Sequence, residues 1–430
     1  MKFFHLGDLH FGKTLHSISL IDEDQPFWVE QFLKAVDEYQ VDAVVIAGDV
    51  YDTRRPEPQE MLLLDHLLTE LAKRDKYVFV IPGNHDHSIR LSHMNELLSS
   101  HHIFIAGELR RELEHVTIPG TKITFWMMPY IFPKAVADPR VLNVERISTY
   151  HEAARALLDV QDVDPSACNI LIAHQNVLAN GVTPDHSASE TIIGGVGEID
   201  YTVFDAFDYV ALGHIHNAQH MGRETVRYSG CPLYYDFSEL HRDKSLTLVT
   251  VEASGQDPAA DSKPAISIEK VKIPVLHELK QFEGTLEELL KEGEEFKKNL
   301  AEEEVSHYYV QCILQDKHVP PRAMEKLKTT FGNSLINIKR EIPVTEAGTT
   351  TTVSGADGKV IEKLSLEEQF HAFYKEQDDA FCDEVQDSLI QQILEIQSRR
   401  GNSYITDPKS IPEKETLELV DFLLQSVTEE

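Results

Sequence analysis

Five short segments of this chain each end a run of apolar and β-branched residues with side chains that commonly bind metal ions. The runs and the residues that follow them are Phe3–Leu6 before Asp8-Leu9-His10, Val44–Ala47 before Gly48-Asp49-Val50-Tyr51-Asp52, Tyr77–Ile81 before Gly83-Asn84-His85-Asp86, Ile170–Ala173 before His174, and Tyr209–Leu212 before Gly213-His214-Ile215-His216. A short apolar run is typical of a buried strand, and ligands bind beyond the carboxyl ends of strands in layered α/β folds. We therefore expect these distant segments to bring their donors to one edge of one sheet.

The donors are too numerous for a single metal ion. The candidate ligands are Asp8, His10, Asp49, Asn84, His174, His214 and His216. Two divalent ions bridged by one carboxylate would use them all, and we expect Asp49 to be the bridge, because an anion between two cations offsets their repulsion. Nitrogen and oxygen donors without a thiolate favour Mn²⁺, Mg²⁺ or Fe²⁺ over a structural zinc site. Two ions about 3.5–4 Å apart can activate water for an in-line displacement at phosphorus.

The order of the motifs resembles that of the calcineurin-like metallophosphoesterases: Asp-x-His, Gly-Asp-x-x-Asp, Gly-Asn-His-Asp, a lone His, and Gly-His-x-His. Other segments are similar to the SbcD-type nuclease subunits of bacterial SbcCD complexes. They are DVYDT at 49–53, MPY at 128–130, ALGHIH at 211–216 and YSGCP at 228–232. The resemblance implies an α/β fold, a layered β-sandwich flanked by helices, with a small α+β capping domain and C-terminal helices.

The expected domains follow from the resemblance and from the pattern of elements. They are a nuclease domain at 1–265, a DNA-contacting capping domain at 266–344, a linker at 345–362 and C-terminal helices at 363–430. For the capping domain the pattern predicts a β-α-β-α-β unit, with its elements at Ile266–Ile273, Leu286–Leu300, His307–Leu314, Pro321–Phe331 and Leu335–Ile342.

The activity that the resemblance implies is that of a Mn²⁺-dependent DNA nuclease, with Mg²⁺ as a possible substitute. Asp8, His10, Asp49 and His216 would hold one ion, and Asp49, Asn84, His174 and His214 the other. His85 is expected to donate a proton to the leaving 3′-oxygen, with Asp86 orienting it. The alternatives are a phosphomonoesterase or small-substrate phosphodiesterase with the same metal core, and a non-catalytic scaffold that bridges DNA ends and an ATPase.

The net charge of the chain, −32 over 430 residues, is unusual for a protein that binds DNA, because phosphate contacts from Lys and Arg dominate nucleic-acid affinity. However, one segment carries a local excess of positive charge, and we expect this segment to contact the DNA backbone. It comprises Arg322, Lys326, Lys328, Lys339 and Arg340. The alternative is a solvated helix face with scattered lysines.

Four scattered cysteines and no apolar run near the roughly 18 residues of a membrane span lead us to expect a cytoplasmic protein without a membrane partner. Two amphipathic helices, Leu366–Ser398 and Glu413–Val427, need a partner surface. The resemblance implies that this partner is the ATPase SbcC, in a heterotetramer with a homodimer of this chain; the helices could instead pack on their own domain. The leucine-rich pattern of Glu57–Arg74 predicts a helix. This helix is either sandwiched in the core, or has one face on the sheet and the other on a second subunit.

Asp52 departs from the pattern of archaeal and eukaryotic relatives, which have a histidine at this position. We expect Asp52 to position Arg54 or Arg55, or to hold a neighbouring loop. Cys231 replaces a usual serine and is interpreted as structural. Three further histidines near the motifs, His5, His87 and His241, are expected to surround the site or lie at the surface.

Overall fold

A computed structural model describes residues 1–190, 197–252, 265–300, 302–317 and 319–341. The chain divides into two units after Ile342, and the described residues all belong to the first unit. The linker expected at 345–362 and the helices expected within 363–430 lie outside the described residues. No helix in the described part of the chain is long and apolar enough to span a membrane.

Strands and helices are interspersed up to residue 158, whereas the described residues between 168 and 284 form strands and 3₁₀ turns without an α-helix. The strands are β1 (Lys2–Leu6), β2 (Thr14–Leu15), β3 (Ile18–Ser19), β4 (Ala43–Ala47), β5 (Tyr77–Ile81), β6 (Ile103–Ile105), β7 (Glu114–Thr117), β8 (Ile123–Met127), β9 (Cys168–His174), β10 (Asn176–Leu178), β11 (Glu198–Asp200), β12 (Tyr209–Gly213), β13 (His220–Met221), β14 (Arg223–Tyr228), β15 (Ser245–Val251), β16 (Ile266–Lys272), β17 (Glu278–Gly284), β18 (Tyr308–Leu314) and β19 (Leu335–Arg340).

The helices are α1 (Asp24–Tyr39), α2 (Pro58–Lys73), α3 (Ser88–Leu91), α4 (Asn95–Ser99), α5 (Pro133–Ala137), α6 (Tyr150–Leu158), α7 (Leu286–Asn299), α8 (Glu302–Val305) and α9 (Ala323–Phe331), with short 3₁₀ turns at Tyr201–Phe204, Phe237–Glu239 and Gly332–Ser334.

Two six-stranded mixed sheets form the core of the molecule. The first has the order β16-β15-β1-β4-β5-β6 and the second β13-β14-β12-β9-β8-β7. Strands β1, β4, β5 and β6 run parallel in the first sheet, and β14, β12, β9 and β8 run parallel in the second. The five motif strands therefore form as expected, but the expectation that they share one sheet is wrong, because β9 and β12 belong to the second. The sequence shows strand ends but not which sheet a strand joins.

The two sheets pack face to face through a layer of fully buried side chains. Phe125 of the second sheet packs against Phe3 and Phe79 of the first, at ring-centroid distances of 5.4 and 4.2 Å. Side chains alternate between the two faces of a strand, so the other face of each sheet needs its own cover. Helices α1 and α2 pack on the outer core of the first sheet, and α6 on that of the second. This layered β-sandwich is the architecture that the sequence predicts.

Helix α2 is amphipathic rather than sandwiched in the core. Leu67 and Leu71 are fully buried against the first sheet, while Met61 and Leu62 keep 53% and 68% of their surface exposed. The leucine-rich run therefore has one face on the sheet and one face in solvent. The exposed face leaves the second-subunit interpretation as a prediction.

The stretch from 266 to 340 is divided between two sheets. The strand expected to open the capping domain forms, but as β16 it pairs antiparallel with β15 at the edge of the first sheet. The small domain instead begins at β17, whose few apolar residues hide its strand character in the sequence. Its parallel sheet has the order β17-β18-β19 and packs one face on α7 and α9.

The other face of this small sheet packs on the large domain. Leu279 and Tyr309 belong to the same apolar cluster as helix α1. The Tyr309 hydroxyl donates a 2.6 Å hydrogen bond to Asp24 at the start of α1, and the Asp24 carboxylate also lies 2.8 Å from Nδ1 of His277. Buried polar groups are costly unless they are paired, so this contact specifies how the two domains meet.

His5 is the one polar residue that β1 places in the layer between the two sheets. It was expected around the site or at the surface, but it is fully buried, with Nδ1 2.9 Å from the Tyr209 hydroxyl and Nε2 3.1 Å from the Leu212 carbonyl. Burial lowers the pKa of His5 to about 3. The folded protein therefore keeps this imidazole neutral.

This burial predicts a contribution of His5 to acid instability. The unfolded chain takes up a proton on His5 below about pH 6.5, and the folded chain does not until about pH 3, so the free energy of unfolding falls as pH drops through this window. Each pH unit costs about 1.4 kcal/mol for one proton. In denaturant unfolding, the free energy of unfolding of His5→Gln should depend less steeply on pH than that of wild type. The exposed control His101→Gln should keep the wild-type pH dependence. An unchanged slope in His5→Gln would contradict the assignment.

Candidate metal centre

The loops that carry the motifs are joined to one another by backbone hydrogen bonds. The amide of Asp8 donates to the Gly48 carbonyl at 3.0 Å, and the amide of His10 donates to the Asp49 carbonyl at 2.9 Å. The Asp8 carboxylate in turn accepts the amide hydrogen of His214 at 3.0 Å. Loops from both sheets are thereby held together at one end of the sandwich.

Four of the candidate ligands have backbone conformations that L-amino acids rarely adopt. Asp8, His10, Asp49 and His214 have φ angles of 53°, 42°, 49° and 98°. Each such residue costs about 1–3 kcal/mol unless the surroundings impose it, and such residues cluster at functional sites. These residues lie within four positions of the ends of β1, β4 and β12, where the chain leaves the sheets.

Glycines of the motifs allow the loops to approach this closely. A Cβ atom added at Gly83 would collide with the Asp49 carboxylate, and one added at Gly213 would collide with the Ala47 carbonyl. The glycines of the Gly-Asn and Gly-His motifs are therefore required by packing at the centre itself.

The amide oxygen of Asn84 is the meeting point of one group of donors. It lies 3.1 Å from Nε2 of His174 and 3.1 Å from Nδ1 of His214. The same Nε2 of His174 lies 3.3 Å from Oδ2 of Asp49. Donor atoms from four motifs thus converge from two sheets.

A second group of donors adjoins the first across Asp49. Ligand atoms of Asp8, His10 and His216 lie within 4.8 Å of one another, and so do those of Asp8, Asp49 and His174. Nε2 of His10 lies 3.6 Å from Oδ2 of Asp49. Asp8 belongs to both of these sets, and Oδ2 of Asp49 lies near an imidazole on either side, His10 and His174. The bridging role of Asp49 stays a prediction.

Three of the histidines have a hydrogen-bond partner at Nδ1, which leaves Nε2 as the nitrogen available to a metal ion. Nδ1 of His10 donates to the Asp52 carboxylate at 3.1 Å, and Nδ1 of His174 donates to the Ala47 carbonyl at 2.8 Å. Nδ1 of His216 lies 2.7 Å from the Ser189 hydroxyl. Acceptors at Nδ1 fix the tautomer that presents the Nε2 lone pair, which is how metal-binding histidines are usually oriented.

The arrangement of acceptors fits a bound cation. The Nε2 lone pair of His10 is buried without a hydrogen-bond partner among the described residues and faces the Asp49 carboxylate. In the neutral ring, the Nε2 lone pair of His174 also faces two acceptors, on Asp49 and Asn84. Opposed lone pairs repel one another, and a divalent cation between them would turn each repulsion into coordination.

The protonation states of the buried groups indicate the same need for positive charge. Burial would raise the pKa of Asp49, but the charges of His174 and His10 outweigh it and hold the pKa well below its ordinary value. Burial would lower the pKa of His174, but Asp49 and Asp8 raise it to about 9. The pKa of Asp8 is raised well above its ordinary value, chiefly by burial. Without metal, protons on these buried groups supply the positive charge of the centre, and bound metal ions would displace those protons.

Of the two expectations for Asp52, the structure supports the contact with a neighbouring loop and not the one with an arginine. Its carboxylate accepts hydrogen bonds from Nδ1 of His10 and from Nζ of Lys13, at 3.1 and 3.0 Å, rather than from Arg54 or Arg55. Because Asp52 follows Asp49 by three residues around a tight turn, its side chain points back to the first motif. Asp52 therefore orients a candidate ligand.

His85 lies at the centre, but Asp86 does not orient it. Nδ1 of His85 donates to the backbone carbonyl of Asp52 at 2.8 Å, which leaves Nε2 for other contacts. The buried Asp86 carboxylate instead accepts amide hydrogens of Val50, Tyr51 and Gly83. Three backbone donors occupy that carboxylate, so its role is to brace two motif loops.

A buried polar chain behind His216 was not foreseen. The Ser189 hydroxyl donates to Glu239 at 2.9 Å, and Lys244 donates to the same carboxylate at 2.7 Å. The amide of His216 donates to Glu190. In the sequence these polar residues resemble ordinary surface positions, and they have no regular spacing that would predict their burial.

The thiol of Cys231 belongs to this chain of polar groups rather than to the ligand set. Sγ lies 2.9 Å from Nζ of Lys244, whose charge disfavours a metal ion beside it, and burial raises the pKa of the thiol well above its ordinary value. His87 and His241 are exposed.

The expected DNA-contacting residues lie outside the centre. All five are exposed on the small domain: Arg322, Lys326, Lys328, Lys339 and Arg340. Arg322 and Lys339 lie near Glu325 and Glu341, at 3.8 and 2.8 Å. The structure therefore brings together the seven candidate ligands and His85, and it leaves the basic residues on a separate surface.

Comparison with known families accounts for most of the described chain. Residues 1–218, which include all seven candidate ligands, match the family model of calcineurin-like phosphoesterases. Residues 275–378 match a model described as the type 5 capsule protein repressor C-terminal domain. Among curated proteins, the SbcD subunit of the nuclease SbcCD from Staphylococcus epidermidis is 27% identical over 397 residues, which are 92% of this chain and 98% of that protein.

Solved structures with low sequence identity also match. A dimetal phosphatase from Danio rerio is 11% identical, with 64% of this chain and 98% of that chain covered and a TM-score of 0.36. Yfce, a phosphoesterase from E. coli, is 13% identical, with 64% and 100% covered and a TM-score of 0.25. Both TM-scores are low, so the fold assignment depends on the family model and on the sheet topology.

The position of Asp52 behind His10 predicts an effect on metal affinity. Asp52→Ala should weaken Mn²⁺ binding by about 10–100-fold, because loss of such an outer partner frees the imidazole. Asp52→Asn keeps an acceptor oxygen and should lose less. Calorimetric titration of metal-free protein measures this, with the exposed Asp65→Asn as a control for the lost charge. Wild-type affinity in Asp52→Ala would show that His10 is positioned by other contacts.

Proposed function

Because this chain belongs to the calcineurin-like phosphoesterases, we propose that it is a Mn²⁺-dependent DNA nuclease: a double-strand 3′–5′ exonuclease and an endonuclease on single strands and hairpins. It would act with an SMC-like ATPase in DNA end processing, repair and recombination. One observation carries the proposal: a donor-rich centre and a separate small domain occur in one chain whose similarity to a nuclease subunit extends over 92% of its length.

In this proposal the seven candidate ligands hold two divalent ions, with Mg²⁺ as a possible substitute for Mn²⁺. One ion would lie among Asp8, His10, Asp49 and His216, and the other among Asp49, Asn84, His174 and His214. When bound, the ions would supply positive charge that polarises the phosphodiester and activates water. The opposed lone pairs at His10 and His174 support these two positions.

The side chain proposed for proton transfer is His85. Its Nδ1 hydrogen is committed to the Asp52 carbonyl, so only Nε2 can hold a proton for the leaving 3′-oxygen. Its amide also donates to Oδ1 of Asp49 at 2.9 Å, which ties its backbone to the proposed bridge. General acid catalysis of this kind contributes about 10²–10⁴-fold.

The small domain is proposed to contact the DNA backbone. Lys326 and Lys328 on α9 form no ion pair with the described residues, and the Arg340 guanidinium donates only to the Lys317 carbonyl, at 2.9 Å. Their charges are therefore available to phosphates, whereas Arg322 and Lys339 are partly neutralised by Glu325 and Glu341.

The partners belong to the proposal as well. A homodimer could use the exposed face of α2, with Met61 and Leu62. Residues 363–430 would dock on an SbcC-type ATPase, which would complete a heterotetramer. The matched C-terminal family model reaches residue 378 and so includes the start of this segment.

The second candidate is a small-substrate phosphodiesterase or phosphomonoesterase with the same metal core. The net charge of −32 favours it, because an acidic surface repels DNA. The two candidates differ in what they cleave: the nuclease needs an internal or terminal phosphodiester of DNA, while the alternative would prefer a small ester.

Cleavage of end-labelled linear and hairpin DNA with Mn²⁺ tests the proposal. Asp49→Ala should lose both metal and activity, because it removes the shared carboxylate. His85→Gln should retain Mn²⁺ binding and lose about 10²–10⁴-fold in rate. The exposed control His93→Gln should behave as wild type. Full activity in metal-replete His85→Gln would contradict its role, and hydrolysis of small esters without DNA cleavage by wild type would favour the second candidate.

A further inference from the structure

A groove of about 790 Å³ opens beside the candidate metal centre, and none of the small domain's basic residues lines it. Asn84 lines both the groove and the centre. The other walls come from the segments around 107–110 and 129–141 and from Arg54. Its volume lies within the roughly 300–1,000 Å³ range of small-molecule sites, so the groove has room for a ligand that extends outward from the candidate metal centre.

The mouth of this groove is positively charged, although the chain is strongly acidic. Four of its lining residues are exposed cations: Arg54, Arg110, Lys134 and Arg140. Of these four cations, only Arg140 has an ion-pair partner among the described residues, with Nε 2.9 Å from Asp138. The remaining acids are Glu108 and the buried Asp86, whose carboxylate is turned towards backbone amides. The groove therefore concentrates charge that a polyanion would neutralise.

Two aromatic rings continue from the centre into the same groove. The Tyr130 ring lies 6.2 Å from the His174 ring and 6.4 Å from the His214 ring, measured between centroids. Phe132, two residues further, keeps 44% of its surface exposed. An exposed phenyl ring costs free energy in water, and beside cations it offers a surface on which an unpaired base can stack.

From this combination we propose that the groove binds single-stranded DNA: its phosphates contact Arg54, Arg110, Lys134 and Arg140, and one base stacks on Phe132. This inference depends on the proposed nuclease function and names the path of the strand beside the scissile phosphate. A single strand fits better than a duplex, because stacking on a side chain requires a base that is not already stacked in a helix. Cations along a backbone path with interleaved aromatic rings are the usual means of binding single strands.

The charge contribution is tested by the double variant Arg110→Gln/Lys134→Gln. Steady-state cleavage of a short labelled oligothymidylate is measured over a range of salt concentrations. We expect KM to rise about tenfold with little change in kcat, and the slope of log(kcat/KM) against log salt to become shallower by roughly 1.4, because each lost phosphate contact removes about 0.7. The matched control Lys34→Gln/Lys298→Gln removes the same charge from two exposed lysines outside the groove and should keep the wild-type slope.

The stacking contribution is tested separately at Phe132. Phe132→Ala should raise KM about tenfold, the size expected for losing one base–aromatic contact, and Phe132→Tyr should restore it. Melting temperatures equal to wild type establish that these exposed substitutions leave the fold intact.

The outcomes distinguish the groove from the function on which it depends. If wild type cleaves oligothymidylate and both groove variants keep the wild-type KM and salt slope, the groove proposal is overturned and the nuclease proposal stands. An equal loss in the lysine control would also overturn it, since the effect would then be one of total charge. If wild type hydrolyses bis(4-nitrophenyl) phosphate but not oligothymidylate, the nuclease proposal fails and the groove proposal fails with it.

Discussion

The carboxylate of Asp49 is the point on which the rest of the site depends. It is buried at the end of the sandwich, within 3.6 Å of two imidazoles from different sheets, and one of its oxygens accepts the amide hydrogen of His85. A buried anion is costly unless it is paired. Here the pairing comes from loops that both sheets deliver, so the two-sheet architecture and the charge balance of the centre support each other.

Holding these loops together strains the backbone. Four candidate ligands have a positive φ, and each such residue costs about 1–3 kcal/mol. They are Asp8, His10, Asp49 and His214. Inter-loop hydrogen bonds offset part of this, including those that Asp86 accepts from three amides. Metal binding would offset more, because ions would replace the proton on His174 and the repulsion at His10. Metal affinity and stability of this end of the fold should therefore be coupled.

Sequence reasoning found the ligands because each follows an apolar run that only a buried strand explains. It assigned the five strands to one sheet, because strand ends carry no information about which sheet a strand joins. It placed 266–273 in the small domain, because the pairing of this strand with β15 is a tertiary contact that the sequence pattern does not show. It missed Ser189, Glu239 and Lys244, which are polar residues without a periodic pattern. It assigned Asp86 to His85 and did not foresee the contact of Asp52 with His10, because the partner of a loop carboxylate depends on loop geometry that no sequence pattern shows.

The acidity of the chain is consistent with a nuclease only if positive charge is local. Among the described residues, the exposed cations of the small domain and those of the groove beside Asn84 provide such charge, and bound metal ions would add to it. Anomalous scattering from crystals grown with Mn²⁺ would locate the ions themselves. We predict two peaks, one on each side of the Asp49 carboxylate, with His10 at one and His174 at the other. A single peak, or two peaks that do not share Asp49, would contradict the bridged two-metal centre.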